Sequence, residues 1–164
     1  MNRCWKMGDN ISTDEILPSQ YMTLTDKTEL ARHLMENAAP DFARLLTPGD
    51  IILGGNNFGY GSSREHAPLA LKGAEVGAIA AKSFARIFFR NCINIGLPAI
   101  TCPEAVDEIP DGSYAAIDLT NGVIISEGKS YSFDPFPDFI MEYITEGGLI
   151  SALNKRRNAK SQKN

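Results

Sequence analysis

Three compact apolar runs, Ile51-Ile52-Leu53, Ala74–Ala81 and Leu97–Thr101, show no alternation with polar residues. That pattern belongs to strands buried on both faces. Between the first two, a helix is predicted to open at Ser62 or Ser63, to continue through Ala67–Lys72 and to end on Gly73 as its cap. Between the second and third, Phe84–Asn94 places Phe84, Ile87, Phe88 and Cys92 at helical spacing, with Gly96 just beyond. Strand–helix–strand–helix–strand in this order predicts parallel pairing through right-handed crossovers.

Residues 1–7 predict another short strand. Residues 26–38 predict a surface helix with Asp26 or Thr28 as cap, an apolar pair at Leu30 and Leu34, and Pro40 as its end; residues 41–47 predict a helical turn. From Ser113 onward the pattern shortens. Ala115–Leu119, Val123–Ser126 and Ser130–Phe133 are separated by Asn121-Gly122 and Glu127-Gly128-Lys129, which reads as consecutive antiparallel hairpins. A closing helix over Asp138–Glu146 is stopped by Gly147-Gly148. No repeat or linker divides the chain. The expected class is α/β, a mostly parallel core with additional short antiparallel strands.

At 164 residues, with 43% hydrophobic and 22% charged residues, the chain has the composition of one globular domain rather than of a disordered or fibrous protein. No run of 18 apolar residues suits a membrane span, and the first residues lack a secretory signal, so a cytoplasmic location is expected. The net charge of −4 hides an asymmetry: Lys155, Arg156, Arg157, Lys160 and Lys163 crowd the last ten residues. The rest carries 11 basic and 20 acidic residues, a body near −9 that repels nucleic acid. An RNA-binding module acting through the tail is thereby disfavoured, and residues 155–164 are expected to be a basic, frayed tail on a domain spanning 1–154. Cys4, Cys92 and Cys102 are scattered, as suits reduced thiols, and are too few for four-cysteine ligation of an iron–sulfur cluster.

The chemistry concentrates in Gly54-Gly55-Asn56-Asn57-Phe58-Gly59-Tyr60-Gly61-Ser62-Ser63-Arg64-Glu65-His66. A strand that empties through glycines into a helix presents free amides and a positive helix end, which attract anions. The letters match neither a phosphate-binding Gly-Lys-Ser/Thr loop nor a GxGxxG fingerprint, which favours a carboxylate over a phosphate. Arg64 can clamp a carboxylate through two parallel hydrogen bonds, and Ser62 and Ser63 bring hydroxyls into the same field. Ser62 and His66 would share a helical face if one helix held both, but the sequence is not the GxSxG elbow of serine hydrolases. A second polar cluster, Asp9-Asn10-Ile11-Ser12-Thr13-Asp14-Glu15, forms turns and offers Asp14 as a group that could orient a hydroxyl or water.

Three ordered blocks resemble the small subunits of the aconitase-like hydro-lyases, especially the short form of 3-isopropylmalate dehydratase. They are Gly8–Pro18, Asn56–Ala67, and Lys82–Phe88 with Arg90-Asn91 and Asn94–Pro98; the likeness runs from about residue 5 to residue 150. The resemblance implies a swivelling β/β/α domain that closes over a large subunit carrying a 4Fe–4S cluster, with no cofactor or metal bound by this chain alone. It implies Ser62 as the base, Asp14 as a second catalytic residue, and Ser63 and Arg64 as binders of a substrate carboxylate, in a site incomplete until both chains meet. The implied reaction is dehydration and rehydration between 2- and 3-isopropylmalate in leucine biosynthesis, with citramalate, dimethylmalate or homoaconitate as alternative substrates. In homoaconitase-like relatives an arginine in the segment matching Ser19–Thr25 recognises a charged side arm. Here Thr23 and Leu24 stand at that place, without a basic residue, which suits an apolar arm.

Overall fold

The structure is a computed structural model in which residues 1–161 are described. Four strands, β1 (Asn2–Lys6), β2 (Ile51–Gly54), β3 (Ala78–Ala81) and β4 (Ala99–Thr101), pair in parallel. Three more, β5 (Tyr114–Asp118), β6 (Val123–Ser126) and β7 (Lys129–Ser132), extend the sheet antiparallel from β1, giving the order β4-β3-β2-β1-β5-β6-β7.

This order decides where the layers go. Each step from β1 to β4 moves one strand over in the same direction, so right-handed crossovers deliver every connecting helix to the same face. Those helices are α1 (Thr13–Ile16), α2 (Lys27–Ala31) and α3 (Phe42–Leu45) before β2, α4 (His66–Gly73) before β3, and α5 (Arg86–Asn94) before β4. On that face Ile52, Ile79, Ala81 and Ala99 pack with Leu30, Leu34, Leu71 and Phe88. The opposite face, formed by Ile51, Leu53, Ala78, Ala80 and Ile100, receives no crossover helix. It is covered by Ala105 of α6 (Pro103–Glu108) and by Ala115, Ile124 and Tyr131 of the curled antiparallel strands. Consecutive residues of β2 and β3 therefore enter two different cores. That is why these strands read as unbroken apolar runs, and it makes the architecture strand layer, strand layer, helix layer.

Several boundaries differ from expectation. The 26–38 helix shrinks to α2, capped by Asp26, because Met35 takes a positive φ of 55° and turns its N–H to the carbonyl of Ile16. Leu30 and Leu34 are fully buried, so this segment is core rather than surface. Gly73 is the last residue of α4 and not a left-handed cap. A Cβ there would stand 2.0 Å from the Lys27 carbonyl oxygen, so glycine is needed for α2 and α4 to touch. The short α6 was not foreseen: Pro103 starts it, and only Ala105 and Val106 are buried within it, too little for a periodic signal. Residues 155–161 of the expected frayed tail belong to α8 (Leu149–Ser161), which follows α7 (Asp138–Glu146) across the Gly147 turn. Lys155 pairs with Glu146 and Arg156 with Glu142 of α7, and the boundary at 154/155 falls inside a helix. Lys163 lies outside the described residues.

Asp50 is the one buried acid among the described residues. It is 2% exposed and accepts hydrogen bonds from the Trp5 indole (2.8 Å), the Thr47 amide (3.0 Å) and the Thr47 hydroxyl (2.8 Å), tying β1 to the entrance of β2. Burial is the largest single influence on its carboxyl and pushes it up, but the hydrogen bonds together outweigh burial and hold the group below the usual carboxylate range. Its stabilisation is therefore complete above about pH 5, where the carboxyl is ionised even in the unfolded chain, and is lost as pH falls through the depressed folded value. Asp50→Ala should cost about 2–3 kcal/mol at pH 7 by leaving the indole and amide unpaired. Denaturant midpoints at pH 7 and pH 3 check this; the wild-type advantage should shrink at the lower pH.

Candidate active site

β1, β2 and β3 all end on one edge of the sheet, the edge where open α/β sheets bind ligands. The glycine-rich loop leaving β2 is clamped there from two sides. The turn after β1 holds it through a ladder: Gly55 N–H donates to Gly8 O (3.1 Å), Asn10 N–H to Asn56 O (2.8 Å), Gly59 N–H to Ile11 O (2.7 Å) and Thr13 N–H to Tyr60 O (2.8 Å). Asp9 Oδ1 also accepts from the Asn56 amide at 2.6 Å, and the Asn57 side chain donates to Asn10 Oδ1 at 3.2 Å. The segment after β3 holds the other side, where the Asn57 amide donates to Ser83 Oγ (2.8 Å) and the Phe58 amide to Ser83 O (3.0 Å). Phe58 is fully buried, edge-on to Phe88 with ring centroids 5.7 Å apart. Gly59 has φ +80°, and a Cβ there would lie 2.1 Å from the Phe88 ring. Only glycine lets the loop lie flat on α5.

This clamp delivers Ser62. Its N–H donates to Thr13 Oγ1 at 2.9 Å, and its own Oγ accepts from the Arg64 amide at 3.2 Å. The half-buried serine faces a cleft of about 390 Å³ lined by Gly59, Gly61, Ala85, Arg86, Ile87, Phe88 and Arg90 besides Ser62 itself. The expectation that Ser62 or Ser63 opens α4 is not met: α4 starts at His66 after Glu65, so Ser62 and His66 share no helical face. The helix whose amino end lines the serine cleft is α5. Its cap, Ala85, offers no side-chain acceptor, which leaves the first amides of α5 and their partial positive charge on this side. His66 Nδ1 is buried without a hydrogen-bond partner.

Ser63 and Arg64 are exposed beside the cleft and do not line it; the Ser63 carbonyl accepts from Asn91 Nδ2 of α5 at 3.1 Å. Asp14 is exposed on α1, next to the buried Thr13 that holds Ser62. Its neighbours are committed to a capping box, Ser12 N–H to Glu15 Oε2 (2.7 Å) and Glu15 N–H to Ser12 Oγ (3.1 Å). Thr23 is exposed, whereas Leu24 packs against the helix-side core, and neither lines the serine cleft. Their segment is anchored by Tyr21, whose ring stacks on His33 at 3.6 Å and whose hydroxyl donates to Glu36 at 2.8 Å. Glu36 also meets His33 Nδ1 at 2.7 Å; the hydrogen bonds from His33 and Tyr21 lower its carboxyl.

The three thiols do not converge. Cys92 belongs to the helix-side core, Cys4 and Cys102 to the opposite one, and burial raises all three, Cys4 to about 11. Such protonated, separated sulfurs do not fit an iron–sulfur cluster. Among the described residues no three His, Cys, Asp or Glu side chains form a metal-holding group. Four site residues escaped the sequence reading: Thr13, Ser83, Arg86 and Arg90. The arginines did leave a signal, a pair four residues apart on a predicted helix.

Residues 47–105 match the aconitase C-terminal domain, the segment that contains both the glycine loop and α5. A site of this kind, on a parallel sheet edge with a Gly-Ser-Ser-Arg loop, thus belongs to the aconitase class. The chain is 55% identical over 151 residues to a 3-isopropylmalate dehydratase small subunit of Nautilia profundicola, covering 91% of this chain and 90% of that one. It is 49% identical to the corresponding subunit of Aquifex aeolicus, with 96% of each covered. The crystal structure of a 3-isopropylmalate dehydratase from Methanocaldococcus jannaschii superposes with a TM-score of 0.92 at 41% identity, over 99% of this chain and 98% of that one. The chain belongs to the family of 3-isopropylmalate dehydratase small subunits.

Thr13→Val keeps the shape of the buried side chain but removes the acceptor for the Ser62 amide. It should cost about 1–2 kcal/mol. Amide exchange at Ser62 should accelerate accordingly, while Gly54 in β2 keeps its protection.

Proposed function

We propose that this chain supplies the proton-transfer half of a hydro-lyase that interconverts 2- and 3-isopropylmalate, working with a large subunit in leucine biosynthesis. Ser62 acts as the base. In the dehydrating direction its alkoxide takes the proton from the carbon α to a carboxylate, hydroxide leaves the neighbouring carbon, and an unsaturated diacid results. In rehydration hydroxide adds to the carbon that lost the proton, and Ser62 returns its proton to the other carbon. A 4Fe–4S cluster on the large subunit would supply the Lewis acid that assists departure of hydroxide.

The observation that carries this reading is the hydrogen bonding of Ser62. Its oxygen already accepts a backbone amide, from Arg64, in a cleft walled by the amino end of α5 and two arginines. A serine is a poor base in water. Amides and a helix end fixed in place before the reaction favour the alkoxide without rearrangement, and closure against a partner would exclude the water that screens them. In this reading Arg64 and Ser63, exposed next to Ser62, take a substrate carboxylate as a partner closes, and Asp14 orders the hydroxyl or a water from the α1 side. The separated, buried thiols are consistent with a partner as the holder of the cluster and with a reducing compartment, the cytoplasm. No described helix is long and apolar enough to cross a membrane.

Substrate choice is assigned to Thr23 and its segment. With no cation there, a charged side arm would enter unpaired, whereas an isopropyl group buries its methyls at about 0.8 kcal/mol per CH2-sized group. Citramalate and dimethylmalate, whose arms are also apolar, are the substrates against which isopropylmalate is to be ranked.

Ser62→Ala, assembled with the large subunit and its iron–sulfur content verified, should lower kcat by about 10²–10⁴. Parental turnover in that assembly refutes serine as base. Thr23→Arg should move the ratio of kcat/KM values toward a substrate with a carboxylate arm; an unchanged ratio removes this segment as the selector.

A further inference from the structure

We propose that Arg86 and Arg90 form a second carboxylate clamp in the Ser62 cleft and hold one of the two carboxylates of the substrate. The inference rests on the dehydratase reading above and assigns it a subsite that the glycine-loop motif does not contain.

Both arginines line the cleft that Ser62 lines, whereas Arg64, the cation nearest Ser62 in sequence, does not. They stand four residues apart on α5 and so project from one face. Their position relative to Ser62 is fixed by packing: Gly59 lies against the Phe88 ring, and Asn91 donates to the Ser63 carbonyl. Five other cations are matched with acids, and Lys6 and Lys72 are held by backbone carbonyls. Arg44 pairs with Asp41, Lys82 with Asp107, Lys129 with Glu108, Lys155 with Glu146 and Arg156 with Glu142. Arg86 and Arg90 have no hydrogen-bonding or carboxylate partner among the described residues. Two unmatched guanidinium groups in one cleft, on a chain of net charge −4, ask for an anion.

The charge balance of the reaction agrees. A dicarboxylate and a serine alkoxide bring about three negative charges into a cleft closed from water, and Arg64 offsets only one. A guanidinium presents donors in a planar fork that matches a carboxylate, so the two side chains would orient the diacid as well as neutralise it. Orientation matters because the proton must be taken from one carbon and returned to its neighbour.

The test uses the assembled enzyme. Arg86→Gln and Arg90→Gln are titrated with the large subunit, and turnover is then measured at a saturating concentration of it. Each variant should raise KM for the diacid about tenfold or more and change kcat by less than about threefold, with the half-saturating concentration of large subunit unchanged. Lysine at either position should recover part of the loss. A dicarboxylate inhibitor should lose its advantage over the corresponding monocarboxylate in the glutamine variants. A native KM overturns the proposal, as does a fall in kcat with KM unchanged. So does a raised half-saturating concentration of large subunit with native KM at saturation, which would make the arginines a docking contact instead. If the wild-type assembly fails to convert isopropylmalate, the dehydratase reading falls; if it converts normally while both variants keep native KM, only the clamp does.

Discussion

The ladder between the turn after β1 and the loop after β2 is the constraint on which the rest of the site depends. Four backbone hydrogen bonds, from Gly55 to Gly8, Asn10 to Asn56, Gly59 to Ile11 and Thr13 to Tyr60, continue the pairing of two parallel strands past the end of the sheet. Without them a loop this rich in glycine would sample many conformations, and ordering it would cost about 1–2 kcal/mol per residue. Because that cost is met during folding by contacts outside the cleft, the Ser62 hydroxyl is held before any substrate or partner arrives. Thr13 is where the ladder and the chemistry join: one side chain, 1% exposed, positions the amide of the serine.

The winding of the chain gives that edge its helix. Because β1 to β4 advance in one direction, α4 and α5 lie on the same face, and the loop between β2 and α4 has α5 beneath it as a floor. The same winding leaves the other face bare, so the antiparallel strands and α6 are needed to complete the fold. The cleft and the second layer thus have one topological cause. The electrostatic consequence is that the amino end of α5, and not that of α4, borders the reactive hydroxyl.

Much of the fold was legible because burial leaves a local record. Ile51-Ile52-Leu53 could only be a strand covered on both sides, and Asn121-Gly122 marked its hairpin directly. Misreadings fell where a distant contact overrides local preference. Met35 turns from helix to left-handed backbone to reach Ile16, and Lys155 and Arg156 lie in a helix where they meet acids of α7. Net charge counts residues; it does not record which acids lie opposite which bases.

By itself, then, the sequence determined the α/β class, the strand-loop-helix unit and the glycine-serine-arginine motif, since each follows from residues within a few positions of one another. The tertiary structure alone decided that α4 begins four residues after Ser62, that Thr13 holds it, and that Arg86 and Arg90 share its cleft. The last two relations join residues separated by 24 to 49 positions, whose meeting is set by strand order and packing, and no local pattern encodes it.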